Sequence, residues 1–182
     1  MTPFLTVLTP TYRRPVGLVA CLESVWTQTA IDQIEQVVMV DHIGLGIGGM
    51  YQQVPRYAAL VRGQYVTWLC DDDTFTSPTI VAELQQAVQA EGEPPLLIVD
   101  TIKAGLRWPA SHRWPPTVGQ IDGNCAVTRA DVWHQFVAAY GDRYEGDFDQ
   151  LFAMAAAGVP AVFCDLLLSI GAVSRGAPER VQ

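Results

Sequence analysis

A chain of 182 residues with 49% hydrophobic and 16% charged residues is one globular domain with room for a full core, and it is not a disordered protein. Its net charge of −8 works against a polyanionic partner, so no nucleic acid is expected, and an anionic small ligand would need a metal or a few arginines to hold it. Cys21, Cys70, Cys125 and Cys164 stand far apart among apolar residues with no CxxC or Cys/His cluster, which argues against zinc and for reduced thiols in a cytoplasmic protein.

Residues 4–9 form the first apolar, strand-like segment; Pro10 ends it, and no basic-then-apolar leader precedes it. Pro15 suits the first turn of a helix, and Leu18, Cys21, Leu22 and Val25 recur behind it at helical spacing. Residues 36–40 make a second strand that stops at Asp41. A glycine-rich loop with Gly44, Gly46, Gly48 and Gly49 leads into a helix over 50–61. The third strand, 65–69, is apolar, β-branched and aromatic, and after Cys70 it runs into Asp71, Asp72 and Asp73. Pro78 opens a helix reaching about residue 90, residues 91–95 link, and 96–101 form a fourth strand. This β-α-β-α-β-α-β alternation predicts an α/β protein with a mainly parallel central sheet and helices on both faces.

The second half changes character. Pro, Trp, His and Arg predict an irregular loop over 105–119. A short strand is expected over 121–127, a helix over 130–139, and a second helix from Asp147 to a stop at Gly158. Residues 159–164 and 166–171 read as strands, and a polar tail begins at Ser174. The apolar region 153–170 has the length of a membrane span, but Gly158, Pro160 and Asp165 interrupt it, so no membrane span is expected.

In parallel sheets ligands bind outside the carboxyl ends of the strands. Thr9 to Arg13, Asp41 and the three acids all fall at such ends. Three adjacent acids repel one another, a divalent cation removes the repulsion, and oxygen ligands favour Mg2+ or Mn2+. The other reading is a polar loop with one Asp capping the next helix. Polar groups brought to one edge by three strands are harder to explain by packing than any one alone.

Three blocks resemble the family 2 glycosyltransferases, which have the GT-A fold. Residues 8–15, LTPTYRRP, followed by LESVWTQT at 22–29, are similar to that family's "PTYNRP…LESVLNQT". GQYVTWLCDDD at 63–73 is similar to "GEYIAFLDxDD", and GDFDQL at 146–151 through Gly158 is similar to "EDWDLWLRLAxxG". The chain departs from the pattern in places. His42 replaces the second acid of "VVDDGS", "ARN" is not matched in register, Cys70 takes the first Asp of the DxD motif, and Gly146 replaces a Glu, with Glu145 one residue earlier. The chain is short for the family, so acceptor-binding elements are expected to be minimal or supplied by a homo-oligomer.

The resemblance implies one GT-A domain over 1–182, with a nucleotide-sugar-binding half at 1–103 and an acceptor-side half at 104–182. Thr9, Pro10, Thr11 and Tyr12 would line the nucleoside pocket, with Tyr12 facing the base; otherwise they form a strand-to-helix turn. Asp41 would accept from the nucleobase, by analogy uracil N3–H, or is a solvated strand-end acid. Strict strand alternation aims Asp71 and Asp73 one way and Asp72 the other, whereas the gapless match puts Asp71 on the ribose and Asp72 on the metal, with Asp73 in reserve. Bound Mn2+ or Mg2+ would bridge the diphosphate. Asp147, near a helix N-terminus, would be the general base, which implies inversion; alternatively it caps the helix, and Asp149 and Glu145 stand behind it. Trp108, His112, Arg113 and Trp114 either meet sugar and phosphate or anchor the loop. Trp133 belongs to the core or an acceptor wall, and Arg175 would reach the diphosphate. The implied activity is transfer of a hexose from a UDP-sugar to a carbohydrate or other hydroxyl acceptor. Competing readings are a retaining transferase, a nucleotidyltransferase (no GxGTR-type loop is present near the N-terminus) and a catalytically silent sugar-nucleotide-binding module, the last favoured by Cys70 and Gly146.

Overall fold

The computed structural model describes residues 2–171, so Arg175 and the tail from Ser174 lie outside the described residues. Among the described residues eight strands form one sheet: β1 (Leu5–Thr11), β2 (Ile34–Val40), β3 (Tyr65–Trp68), β4 (Asp73–Phe75), β5 (Leu96–Lys103), β6 (Leu106–Trp108), β7 (Ala126–Arg129) and β8 (Val162–Gly171). Their order is β2-β1-β3-β7-β5-β8-β4, with β6 paired to the end of β5. β1, β2, β3, β5 and β8 share one direction, and β4, β6 and β7 oppose them.

Five α-helices among the described residues cover the two faces: α1 (Pro15–Trp26), α2 (Gly46–Tyr57), α3 (Ile80–Ala90), α4 (Ala130–Phe136) and α5 (Gly146–Ala156). Alternation along the strands assigns the faces. Leu5, Val7, Tyr65 and Leu69 bury with Cys21 and Val25 of α1 and Leu84 and Val88 of α3. Leu8, Val66 and Trp68 bury on the other side with Met50 and Val54 of α2 and Trp133 of α4, and Leu96 and Ile98 pack on Leu151 and Met154 of α5. Gln28 shows what part of the first motif block does for the fold. Its buried amide donates to Ser24 O (3.0 Å) and Ser77 O (2.7 Å) and accepts from Val81 N (3.2 Å), tying the end of α1 to the start of α3.

Several boundaries differ from expectation for identifiable reasons. β1 continues through Pro10, because β1 and β3 stop pairing at Leu8 and Trp68 and no partner strand needs the missing N–H on that side. α2 takes in Gly46, Gly48 and Gly49, since burial of Met50 and Val54 overrides weak glycine propensity. α3 starts at Ile80 rather than Pro78, behind Thr79, whose hydroxyl donates to Glu83 (2.6 Å). The loop after β5 contains β6, and the two strands expected after Gly158 are one, β8, with register irregularities opposite Asp100. Among the described residues no helix is long and apolar enough to cross a membrane.

Candidate active site

The carboxyl ends of β1, β2, β3 and β5 deliver polar side chains to one edge, where the turn before β7 and the N-terminus of α5 meet them. At the β1–β2 end, Asp41 N donates to Thr11 O (2.9 Å). Asp41 is buried; its Oδ1 accepts from the N–H groups of Ile43 (3.1 Å) and Gly44 (2.8 Å), and its Oδ2 has no hydrogen-bond partner among the described residues. A buried acceptor left open in this way is the kind of group that a ligand donor satisfies. Tyr12 is half-buried, with its hydroxyl against Gly44 and the Arg13 guanidinium 5.2 Å from its ring centre. Thr9 is fully buried, and its hydroxyl accepts from Gln36 Nε2 (2.9 Å), so its side chain supports the strand beneath the edge.

The run after β3 is a turn rather than an extended strand: Asp73 N donates to Cys70 O (2.9 Å). Strand parity therefore fails there. Arg14, itself buried, puts one nitrogen 3.0 Å from Asp71 Oδ1 and 3.3 Å from Asp72 Oδ2. Burial lifts the Asp71 carboxyl, and Thr11 and Arg14 pull it back. Asp73 turns inward to start β4, where its Oδ2 meets the Asn124 amide and Lys103 Nζ (3.3 Å). Complete burial raises Asp73 to about 6 against the opposing pull of Lys103, with Asp72 and Asp122 adding to the rise. Lys103 Nζ also lies 3.3 Å from Asp122 Oδ1. Burial works against its ammonium form, but Cys70, Asp122 and Asp73 around it push its pKa upward.

Asp122 caps a short helical turn, its Oδ1 accepting from Asn124 N (2.9 Å), and that turn joins the two halves of the site. Asn124 reaches Asp73 and lies 3.5 Å from Cys70 Sγ through its Oδ1. Gly123 lies against Asp147, where a Cβ would sit 2.7 Å from Asp147 Oδ2 and displace that carboxylate. Asp147 Oδ1 accepts from Phe148 N (2.9 Å) at the start of α5. Burial and then Asp122 raise the Asp147 carboxyl to about 6, opposed by the N–H groups of Phe148 and Gly123 and by Lys103. Aromatic rings close the wall behind it. Tyr140 Oη accepts from Trp68 Nε1 (2.9 Å) and Trp133 Nε1 (3.2 Å), and Tyr51 stacks on Tyr140. A Cβ at Gly146 would lie 2.6 Å from the Tyr51 ring, which accounts for glycine where the family pattern has Glu. A cavity of about 10 Å3 between Trp68, Trp133, Tyr140 and Asp147 has the volume of one water.

The donor set at the end of β3 fits a divalent cation. One ligand atom each from Cys70, Asp72 and Asp73 lies within 4.8 Å of the others, and Asp73 Oδ1 is buried with no hydrogen-bond partner among the described residues. Other candidates lie elsewhere or are engaged. Asp149 pairs with Arg143, and Glu145 precedes the first turn of α5. Trp114 donates to Val159 O (2.9 Å) and packs with Trp108 beneath β7 and α5, so both tryptophans anchor the loop; Trp133 is core. Arg113 is exposed, and His112 stacks on Phe163 beside a separate cleft of about 490 Å3 lined by Asp100, Arg107 and Asp165. Sequence reasoning missed the roles of Arg14, Lys103, Asp122 and Asn124. Lys103 carried a usable signal, since it too ends a strand of the parallel set.

No family model and no curated protein matches the sequence. The fold has clear relatives among solved structures. The crystal structure of Staphylococcus aureus TarS 1-349 in complex with UDP aligns with a TM-score of 0.68 at 13% identity over 93% of this chain, and the same protein with UDP-GlcNAc with 0.61 at 13% over 96%. The mannosyltransferase PcManGT from Pyrobaculum calidifontis, in complex with GDP-Man and Mn2+, aligns with 0.63 at 10% over 98%. The chain spans about 60% of the length of each of these structures. The fold is GT-A, that of these glycosyltransferases.

Proposed function

We propose that this chain is a metal-dependent glycosyltransferase that moves a hexose from a UDP-sugar to an acceptor hydroxyl with inversion. The observation that carries the reading is the 122–125 turn, which packs Gly123 against a half-buried Asp147 and reaches Asp73 through Asn124. TarS binding UDP and UDP-GlcNAc on this fold, and PcManGT binding GDP-Man with Mn2+, support it.

In this reading Thr11 and Tyr12 border the nucleoside with Pro10 beside them in β1, and Asp41 offers its open oxygen to a nucleobase N–H. Thr9 holds the strand beneath them. Asp71, fixed by Arg14, accepts from the ribose, and Asp72 with Asp73 holds Mn2+ or Mg2+. When bound, the cation offsets the charge that grows on the diphosphate as the glycosidic bond breaks. Asp147 takes the proton from the acceptor hydroxyl as that oxygen attacks the anomeric carbon from the opposite face. A carboxyl raised to about 6 is a stronger base than an ordinary aspartate and is still ionised at neutral pH.

One observation favours a silent binding module instead: Arg14 and Lys103 already neutralise part of the acidic run. A panel of UDP- and GDP-sugars tested for Mn2+-dependent hydrolysis and transfer, with the product anomer read by NMR, separates the readings. Transfer with inversion, lost in Asp147→Asn, is expected. Retention of configuration, or donor binding with no turnover on any sugar, contradicts the proposal.

A further inference from the structure

We propose that Cys70 is a ligand of the divalent cation, so that the site has one sulfur donor and holds thiophilic cations in preference to Mg2+. This rests on the metal-dependent reading above and concerns which cation that site takes. Cys70 stands at the first position of the acidic motif, where the family pattern offers oxygen. Its Sγ, with one oxygen each from Asp72 and Asp73, falls within a span of 4.8 Å. Two donors bound to one ion at roughly 2.0–2.3 Å lie at most about 4.6 Å apart, so the three atoms need little movement to enclose a cation.

The surroundings of the thiol support the assignment. Cys21 and Cys125 are fully buried core thiols, whereas Cys70 is half-buried and opens on the acidic edge. Asn124, almost wholly buried, meets two of the three: its amide nitrogen donates to Asp73, and its Oδ1 accepts from the Cys70 thiol (3.5 Å), a hydrogen bond that a cation replaces when it takes the thiolate. Three protein donors leave further positions open for diphosphate oxygens, unlike a closed structural zinc site. Softness then sets the preference. Thiolate favours Zn2+, Co2+ and Cd2+, while Mg2+ binds oxygen in strict octahedral geometry.

Cobalt reports the ligand directly. Titration of the protein with Co2+ in the presence of UDP should give a near-ultraviolet thiolate-to-cobalt charge-transfer band. The band should persist in Cys164→Ser, which removes the other half-buried thiol, and vanish in Cys70→Ser. By calorimetry, Cd2+ affinity should fall at least about tenfold in Cys70→Ser, with Mg2+ affinity not reduced. Cys70→Asp should shift preference toward Mg2+ and Mn2+, and circular dichroism checks that each variant is folded. Cobalt bound with UDP but without a sulfur band, or a band that survives in both Cys70 variants, overturns sulfur ligation and leaves the metal-dependent reading standing. No binding of Co2+, Cd2+ or Mn2+ with UDP present overturns both.

Discussion

Asp72 and Asp147 are carboxylates at the same edge of one sheet, held in opposite ways. Asp72 shares the Arg14 guanidinium with Asp71, whereas Asp147 receives backbone N–H groups, faces Asp122 and makes no ion pair among the described residues. Asp73 stands between them: Lys103 holds it, yet complete burial still lifts its carboxyl to about 6. A carboxylate gripped by a guanidinium is fixed in place and suits holding a charged ligand, and one set beside another acid suits taking a proton. The neighbouring elements make the difference. The loop before α1 and the end of β5 bring Arg14 and Lys103, while α5 and the 122–125 turn bring amides and one more acid.

Five experiments break or sharpen that contrast. The largest effect is expected at Asp147→Asn, which should lower kcat by roughly 10²–10⁴-fold while leaving UDP binding intact by calorimetry. In the wild type, kcat/KM should fall below a pH of about 6 as Asp147 takes its proton. Next, Lys103→Met leaves Asp73 without its cation and should destabilise the fold by about 3–5 kcal/mol at neutral pH. Urea unfolding should show that loss shrinking as pH falls toward about 6 and levelling off below it, because without Lys103 the Asp73 carboxyl takes its proton at a higher pH than in the wild type.

The same Asp147→Asn variant should be more stable than wild type at neutral pH, by up to about 3 kcal/mol. The sign follows from the raised carboxyl. Between its ordinary value of 3.8 and about 6 the folded protein binds the extra proton, so wild-type stability falls as pH rises through that window. The variant lacks this fall, and its advantage should vanish below a pH of 3.8 in thermal melts. The smallest effect is expected at Tyr140→Phe, which strands the Trp68 and Trp133 N–H groups and should destabilise by about 1–3 kcal/mol.

The first half of the fold was legible because its strands and helices carry their own periodicity. Leu18, Cys21 and Val25 signal α1 locally, and the polar residues at three strand ends marked the working edge. β4 was missed because three residues starting at Asp73 leave no room for a pattern. Antiparallel β7 between β3 and β5 is a long-range pairing that no local window contains. The same limit hid the partners of the acids. Arg14 lies 57 residues from Asp71, and Asn124 lies 51 from Asp73, so their meeting is a property of the fold. Gly146, a departure from the family motif in the sequence, became intelligible only with Tyr51 against it.

Titration of the intact chain with UDP by calorimetry, with Mn2+ and again with EDTA, tests the central claim most directly. The account predicts binding that needs Mn2+ and weakens at least about tenfold in EDTA or in Asp72→Asn. Equal affinity with and without the cation, or no UDP binding in either, would contradict it.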